Sequence, residues 1–169
     1  MLAVEAVPGT DSTASFHALY QREAVTVLRY LRSALRQPGP AEDLCADTFC
    51  RAWDAWPRFH GTDHEARAWL MRIARNLVID GVRRDSRVTL VELPAEQASP
   101  VGTEPDAEFI DLRRAMDRLE RDDRDLLAMR MAGLSHAEIA RVRGKKEEAI
   151  KKAWQRALVR VRELLEVPA

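Results

Sequence analysis

The chain has 169 residues, 46% of them hydrophobic and 32% charged, and its 27 basic and 27 acidic side chains leave no net charge. That length holds one ordinary domain or two small ones, and the apolar share supports packed cores. No apolar run approaches a bilayer span, the N-terminal stretch has neither the basic nor the apolar segment of a signal peptide, and Cys45 and Cys50 match no zinc or redox spacing, so a cytoplasmic protein with reduced thiols is expected.

Apolar residues at spacings of three and four predict a first helix from Ser12 to Arg36, with Phe16, Leu19, Tyr20, Val27, Leu28, Leu31 and Leu35 inward. The run QPGP, Gln37 to Pro40, breaks it. A second helix starts near Ala41, where Glu42 and Asp43 suit its positive end. Leu44, Thr48, Phe49, Ala52 and Trp53 mark its stripe, and Pro57 closes it. The polar stretch RFHGTDHEA reads as a loop, and a third helix follows from about Ala66 to Arg84, with Trp69, Leu70, Ile73, Ala74, Leu77 and Val82 inward. Next comes VTLVELPAEQASPVGTEPD, whose three prolines and one glycine predict an extended linker. Its VTLVEL segment is strand-like, but a lone strand has nothing to pair with. Four helices are expected beyond it: Ala107 to Leu119, Asp122 to Met131, Ser135 to Val142 and Lys145 to Leu165. Asp122 suits an N-cap, and Ser135 with Glu138 spells a capping box. The predicted class is all-α: two small helical domains, 12–87 and 107–165, joined by an extended acidic linker, 88–106.

Charge is laid out in blocks. Val88 to Leu112 holds six acids and no Lys or Arg. Arg141 to Leu164 holds nine cations against three anions, and Ala66 to Arg87 holds six arginines against Asp80 and Asp85. Two basic helical segments separated by an acidic tract suggest a polyanionic partner, because local field matters more than the total.

A short helix, a turn near Gly144 and a longer helix form a helix-turn-helix pattern, in which the second helix enters the major groove. On that second helix Ile150, Ala153, Trp154, Ala157, Leu158, Val161 and Leu165 make one apolar stripe. Lys145, Glu148, Lys152, Gln155 and Arg156 fall opposite, flanked by Lys146 and Lys151. Lysines hold phosphate whatever the sequence, whereas Gln and Arg can read base edges. The competing reading is a solvated lysine face on an ordinary helix, with the exposed Val159 on its side.

The segments AEDLCADTFCRAWDAWPRF and ARAWLMRIARNLVIDGVRR together resemble region 2 of the bacterial sigma-70 family, of the compact extracytoplasmic-function (ECF) type. GLSHAEIARVRG resembles region 4 of the same family, at the expected distance. The resemblance runs from about Phe16 to Leu165. It implies an RNA polymerase sigma factor whose partners are core RNA polymerase, through its clamp and flap regions, promoter DNA and an anti-sigma factor. It places core docking on Asp43, Asp47, Thr48, Phe49, Arg51 and Trp53. It places reading of the minus-ten motif on the loop residues Gly61, Thr62, Asp63 and His64, and on Arg67, Arg72, Arg75, Asn76, Arg83 and Arg84. Reading of the minus-thirty-five motif falls to Ser135, Lys145, Lys146, Glu148, Lys151, Lys152, Gln155 and Arg156. The acidic linker resembles the segment that threads the polymerase cleft. The run EAIKKA, Glu148 to Ala153, departs from the small residues common at the start of the family's recognition helix, and Gly81 stands where a larger residue is typical.

His60, His64 and Asp63 share one loop without a third convergent histidine or thiol, so no metal is expected there. His136, in the first turn after its cap, is expected to be exposed, and Trp53, Trp56, Trp69 and Trp154 to pack rather than stack on bases. With no Gly-rich phosphate loop, HExxH or Ser-His-Asp layout, neither a catalytic role nor a cofactor is expected. Two alternatives stay open: a stand-alone helix-turn-helix regulator, and a sigma-like decoy that opens no promoter.

Overall fold

The computed structural model describes residues 10–36, 39–85 and 107–166, with side chains over 15–36, 39–81 and 111–166. The acidic stretch 88–106, expected as a linker, lies outside the described residues, as do the side chains of Val82, Arg83 and Arg84. Seven α-helices are described: α1 (Thr10–Ala34), α2 (Ala41–Ala55), α3 (Asp63–Asp85), α4 (Ala107–Arg118), α5 (Arg121–Met131), α6 (His136–Arg143) and α7 (Glu147–Glu166), with one 3₁₀ turn, Trp56–Arg58, after α2.

The first three helices pack mutually, and the last four are joined through α7, which touches α4, α5 and α6. The halves do not keep separate cores. A single buried cluster runs from Phe16, Leu19, Val27, Tyr30 and Leu31 on α1, through Leu70, Met71 and Ala74 on α3, into Leu126 and Met129 on α5 and Ile139 on α6. A smaller cluster joins Met116, Leu119, Leu127, Ala157 and Val161 beneath α4 and α7. α1 lies along α5, and α3 lies along α6.

This arrangement changes which residues of α1 are inside. Tyr20, expected inward, is largely exposed, whereas Tyr30 and Glu23 are buried. A single apolar stripe cannot describe a helix that touches α2, α3 and α5 at once. Glu23 enters because Arg22 donates to it at 3.0 Å and Arg67 Nε stands 3.1 Å from its other oxygen.

The departure is largest in α5. Six of the eleven residues of its sequence, RDDRDLLAMRM, are charged, yet Asp123 to Met129 are all buried. Each buried charge has a partner, as burial requires. Arg160 donates to Asp123. Arg124 donates to the carbonyls of Met116, Asp117 and Leu119, at the C-terminal end of α4 where helix carbonyls lack regular intrahelical partners. Asp125 accepts from Tyr30 and Arg75. Arg113 does for α1 what Arg124 does for α4, donating to the carbonyls of Arg32, Leu35 and Arg36 at 2.7, 2.8 and 3.0 Å. Asp122, expected as an N-cap, is inside the first turn of α5; Glu120 holds the cap position without a side-chain hydrogen bond.

Candidate nucleic-acid interface

The capping box is present as expected. Ser135 Oγ accepts the Glu138 N–H at 3.2 Å, and Glu138 Oε2 accepts the Ser135 N–H at 2.7 Å. Gly144 ends α6 in the left-handed region, at φ 63° and ψ 37°, and the Lys145 N–H closes the turn on the Ala140 carbonyl at 2.9 Å. Glycine takes that conformation without a Cβ clash, so the turn fixes how α7 leaves α6. α7 begins at Glu147, which leaves Lys145 and Lys146 in the turn itself. Ile150, Ala157 and Val161 are buried, and Ala153 and Trp154 pack half-buried beside the core, but Leu165, expected in the stripe, is exposed.

The opposite face is open. Lys145, Lys146, Glu148, Lys152, Gln155 and Arg156 are all exposed. Lys151 is exposed too, but its Nζ sits 3.0 Å from Glu148 and 3.1 Å from Glu147. The Glu148 hydrogen bond, followed by that of Glu147, pushes the lysine upward from its ordinary pKa. Part of its charge is therefore answered within the helix. His136 is half-buried, not exposed, with its ring 6.1 Å from Trp154, and Arg130 lies 5.5 Å over the same indole.

The second candidate surface is built on α3. The helix begins three residues before the expected Ala66, because Thr62 and Glu65 form a further N-terminal exchange: Glu65 Oε2 accepts the Thr62 N–H at 2.7 Å and its hydroxyl at 2.9 Å. The TxxE spacing was the sequence signal for it. Asp63 and His64 thus lie in the first helical turn instead of a loop. Phe59 packs against Trp56, with centroids 5.3 Å apart, and Trp69, at 4.9 Å. The Phe59 ring crosses Gly61, where an added Cβ would sit 2.5 Å from Phe59 Cζ, so this loop position has no room for a side chain. At Gly81 an added Cβ would meet nothing within 4 Å among the described residues.

Phe59, Gly61, Glu65, Trp69 and Arg72 line an open cavity of about 380 Å³, and Arg141 of α6 completes its wall. Trp69 therefore both packs and faces the cavity. Arg67, Arg72 and Arg75 all turn toward the second half of the chain. Arg67 donates to Glu138 at 2.9 Å, Arg72 to the Arg141 carbonyl at 3.0 Å, and Arg75 to Asp125 at 2.7 Å. Asn76 is exposed.

On α2, Asp43, Asp47, Arg51 and Trp53 are exposed. Thr48 and Phe49, expected on the same docking surface, are not: Thr48 is 0% exposed and donates to the Leu44 carbonyl at 2.7 Å, and Phe49 is 7% exposed, edge-on to Tyr20. At helical spacing both point to α1 and α3. Tyr20, which the sequence reading sent inward, joins Trp53 on the outside. Cys45 is half-buried and Cys50 exposed, both as free thiols, and burial followed by Glu42 pushes the Cys45 thiol up.

Comparison with known proteins places these surfaces in a family. Residues 19–88 match the family model for sigma-70 region 2, and residues 109–161 match that for sigma-70 region 4. The chain is 30% identical over 149 residues to the ECF RNA polymerase sigma factor SigC of Mycobacterium tuberculosis, covering 85% of this chain and 78% of that one. The chain belongs to the sigma-70 family. Within that family it is 35% identical over 160 residues to the ECF RNA polymerase sigma factor BldN of Streptomyces coelicolor, covering 89% of this chain and 60% of BldN. It thus spans less than two thirds of the length of BldN. The sigma factor RpoE of Bartonella quintana, solved with the anti-sigma factor NepR, superposes with a TM-score of 0.67 at 25% identity, covering 95% of this chain and all of RpoE. The all-α fold and the two-region sigma layout follow from these matches.

Among the described residues of this sigma-70 family member, no helix is long and apolar enough to cross a membrane. None of their His, Cys, Asp or Glu groups gathers the three ligands a metal ion would need.

Proposed function

We propose that this chain is an RNA polymerase sigma factor that binds core polymerase, selects promoters and starts transcription from them. The supporting observation is that the two matched segments carry two different surfaces. The region 4 segment presents an open cationic helix face suited to duplex phosphate and base edges. The region 2 segment presents an aromatic cavity edged by arginine, suited to a base drawn out of the stack and to single-strand phosphates.

In this reading the domains span 12–87 and 107–165, and the acidic stretch 88–106 occupies the basic cleft of the polymerase. Asp43, Asp47, Arg51 and Trp53 on α2 dock on the clamp, with Tyr20 beside them. The cavity residues with Arg67, Arg72, Arg75, Asn76, Arg83 and Arg84 read the minus-ten motif. Ser135, Lys145, Lys146, Glu148, Lys152, Gln155 and Arg156 meet the minus-thirty-five motif. RNA synthesis belongs to the polymerase, and the chain contributes binding, not catalysis. It works in the cytoplasm, at the nucleoid when in holoenzyme. By analogy with RpoE, an anti-sigma factor is a third class of partner.

Run-off transcription of fragmented genomic DNA by purified core polymerase, with and without the chain, tests this. New discrete transcripts are expected only with it. Core binding without transcripts would favour the decoy. Specific duplex binding with no core binding would favour the stand-alone regulator.

A further inference from the structure

We propose that Glu148 and Lys151 act as one unit that reads a single C·G pair of the upstream promoter motif, Glu148 accepting from the cytosine amino group and Lys151 donating to the guanine edge. The inference rests on the reading of α7 as the helix that enters the major groove, and it names what that helix recognises. At about 100° per residue, Glu148, Lys152 and Gln155 lie within about 40° of the direction opposite the buried Ile150, Ala157 and Val161. Glu148 is therefore central on the face that meets base edges, in the first turn of α7, and 76% of its side chain is exposed. An anion there repels the backbone phosphates that Lys145, Lys146 and Lys152 attract. In the groove a carboxylate accepts instead from a base amino group.

Lys151 decides which base. Its Nζ stands 3.0 Å from Glu148 Oε1, and Glu147 Oε1 holds the same ammonium at 3.1 Å. The helix thus presents an acceptor and a donor 3.0 Å apart. In a C·G pair the cytosine N4–H donates to guanine O6 across about 2.9 Å, and both atoms also face the major groove. Acceptor and donor on the protein therefore meet donor and acceptor on the pair at matching separation. Guanine N7, beside O6, gives the ammonium a second acceptor. In a T·A pair the adenine amino group lies between N7 and thymine O4. The ammonium then finds one acceptor on either side instead of two adjacent ones, and the thymine methyl crowds O4. The competing account is local: acidic residues suit the start of a helix, and pairs at three and four residues stabilise it. That account predicts the same ion pairs and no preference among bases.

The test uses the full chain with Glu148→Gln and Lys151→Ala. Both side chains are exposed, so the variants keep the fold, which circular dichroism checks. Each protein, with core polymerase, transcribes a promoter library randomised across the upstream motif, and the transcripts are sequenced. The same preparations without polymerase select duplexes from a library randomised over the same span. The wild type is expected to prefer C·G over T·A at one position by roughly tenfold. Glu148→Gln should move that position toward A·T, because an amide pairs with adenine N6 and N7 together. Lys151→Ala should lose the preference at the same position, and the other positions should stay as they were. Unchanged base preferences in both variants, with only overall affinity altered, overturn the proposal and leave the local account. Effects of the two variants at different positions overturn the unit. A wild type that enriches no base in either format overturns it as well. A wild type that selects duplexes but yields no transcripts with core polymerase sinks the sigma-factor reading, while duplex selection still decides what Glu148 and Lys151 read.

Discussion

Arg75 on α3 donates from Nε to Asp125 Oδ2 on α5 at 2.7 Å, across fifty positions of sequence. The same carboxylate accepts the Tyr30 hydroxyl from α1 at 2.8 Å, so one side chain of the second half ties two helices of the first. Tyr30 is 0% exposed, and its phenol is pushed well above its ordinary pKa by burial first and by the neighbouring Asp125 second.

Asp125→Ala should cost about 3 kcal/mol, because it strands a largely buried guanidinium and a buried hydroxyl together. Equilibrium urea unfolding measures it. A loss below about 1 kcal/mol would mean that the Arg75 and Tyr30 partners are readily replaced by water.

Leu126→Ala should cost about 2–5 kcal/mol, and the wild type should unfold in one transition. The reason is the buried cluster shared by α1, α3, α5 and α6. Two resolved transitions in a thermal scan would show that the halves fold independently.

Ser135→Ala removes one half of the capping box and should cost about 1 kcal/mol. Gly144→Ala forces a Cβ into the left-handed region at φ 63° and should cost about 1–2 kcal/mol. Both changes alter the seat of α7, so duplex affinity should fall with stability in a gel-shift titration.

Lys152→Ala should flatten the salt dependence of duplex binding by about 0.9 in the log–log slope, the signature of one lost phosphate contact. Lys151→Ala should change it less, since Glu147 and Glu148 already hold that ammonium. Equal slopes for the two variants would mean that DNA draws Lys151 away from its carboxylates.

Acid should weaken the α6 cap. Burial works to raise the Glu138 carboxyl, but the Ser135 backbone and side chain and the Arg67 guanidinium outweigh it and hold the group below its ordinary range. A depressed folded pKa contributes stability above the unfolded value, about 4.3, and loses it as pH falls through the lower folded value. The stability gap between wild type and Glu138→Gln should therefore be largest near neutrality and shrink below about pH 4. A gap independent of pH in urea titrations would assign the Glu138 contribution to packing instead of charge.

Much of this protein was legible from residue order alone. Helix positions follow from apolar spacing, the Ser135–Glu138 cap and the Gly144 turn follow from local chemistry, and the open cationic face of α7 follows from a helical wheel. These are short-range properties, settled within a turn or two of chain. Which charges are buried was not legible. Asp123, Arg124 and Asp125 are enclosed, which no local signal marks, and Arg67 and Arg75, assigned to promoter DNA, are paired within the chain. Thr48 and Phe49, on the α2 stripe by spacing and on the docking surface only by the family resemblance, are buried. The partners of Asp125, Arg67 and Arg75 lie tens of residues away, and no periodicity encodes a distant partner. Only the packing of α5 and α6 onto α1 and α3 brings opposite charges close enough, and dry enough, for pairing to offset desolvation.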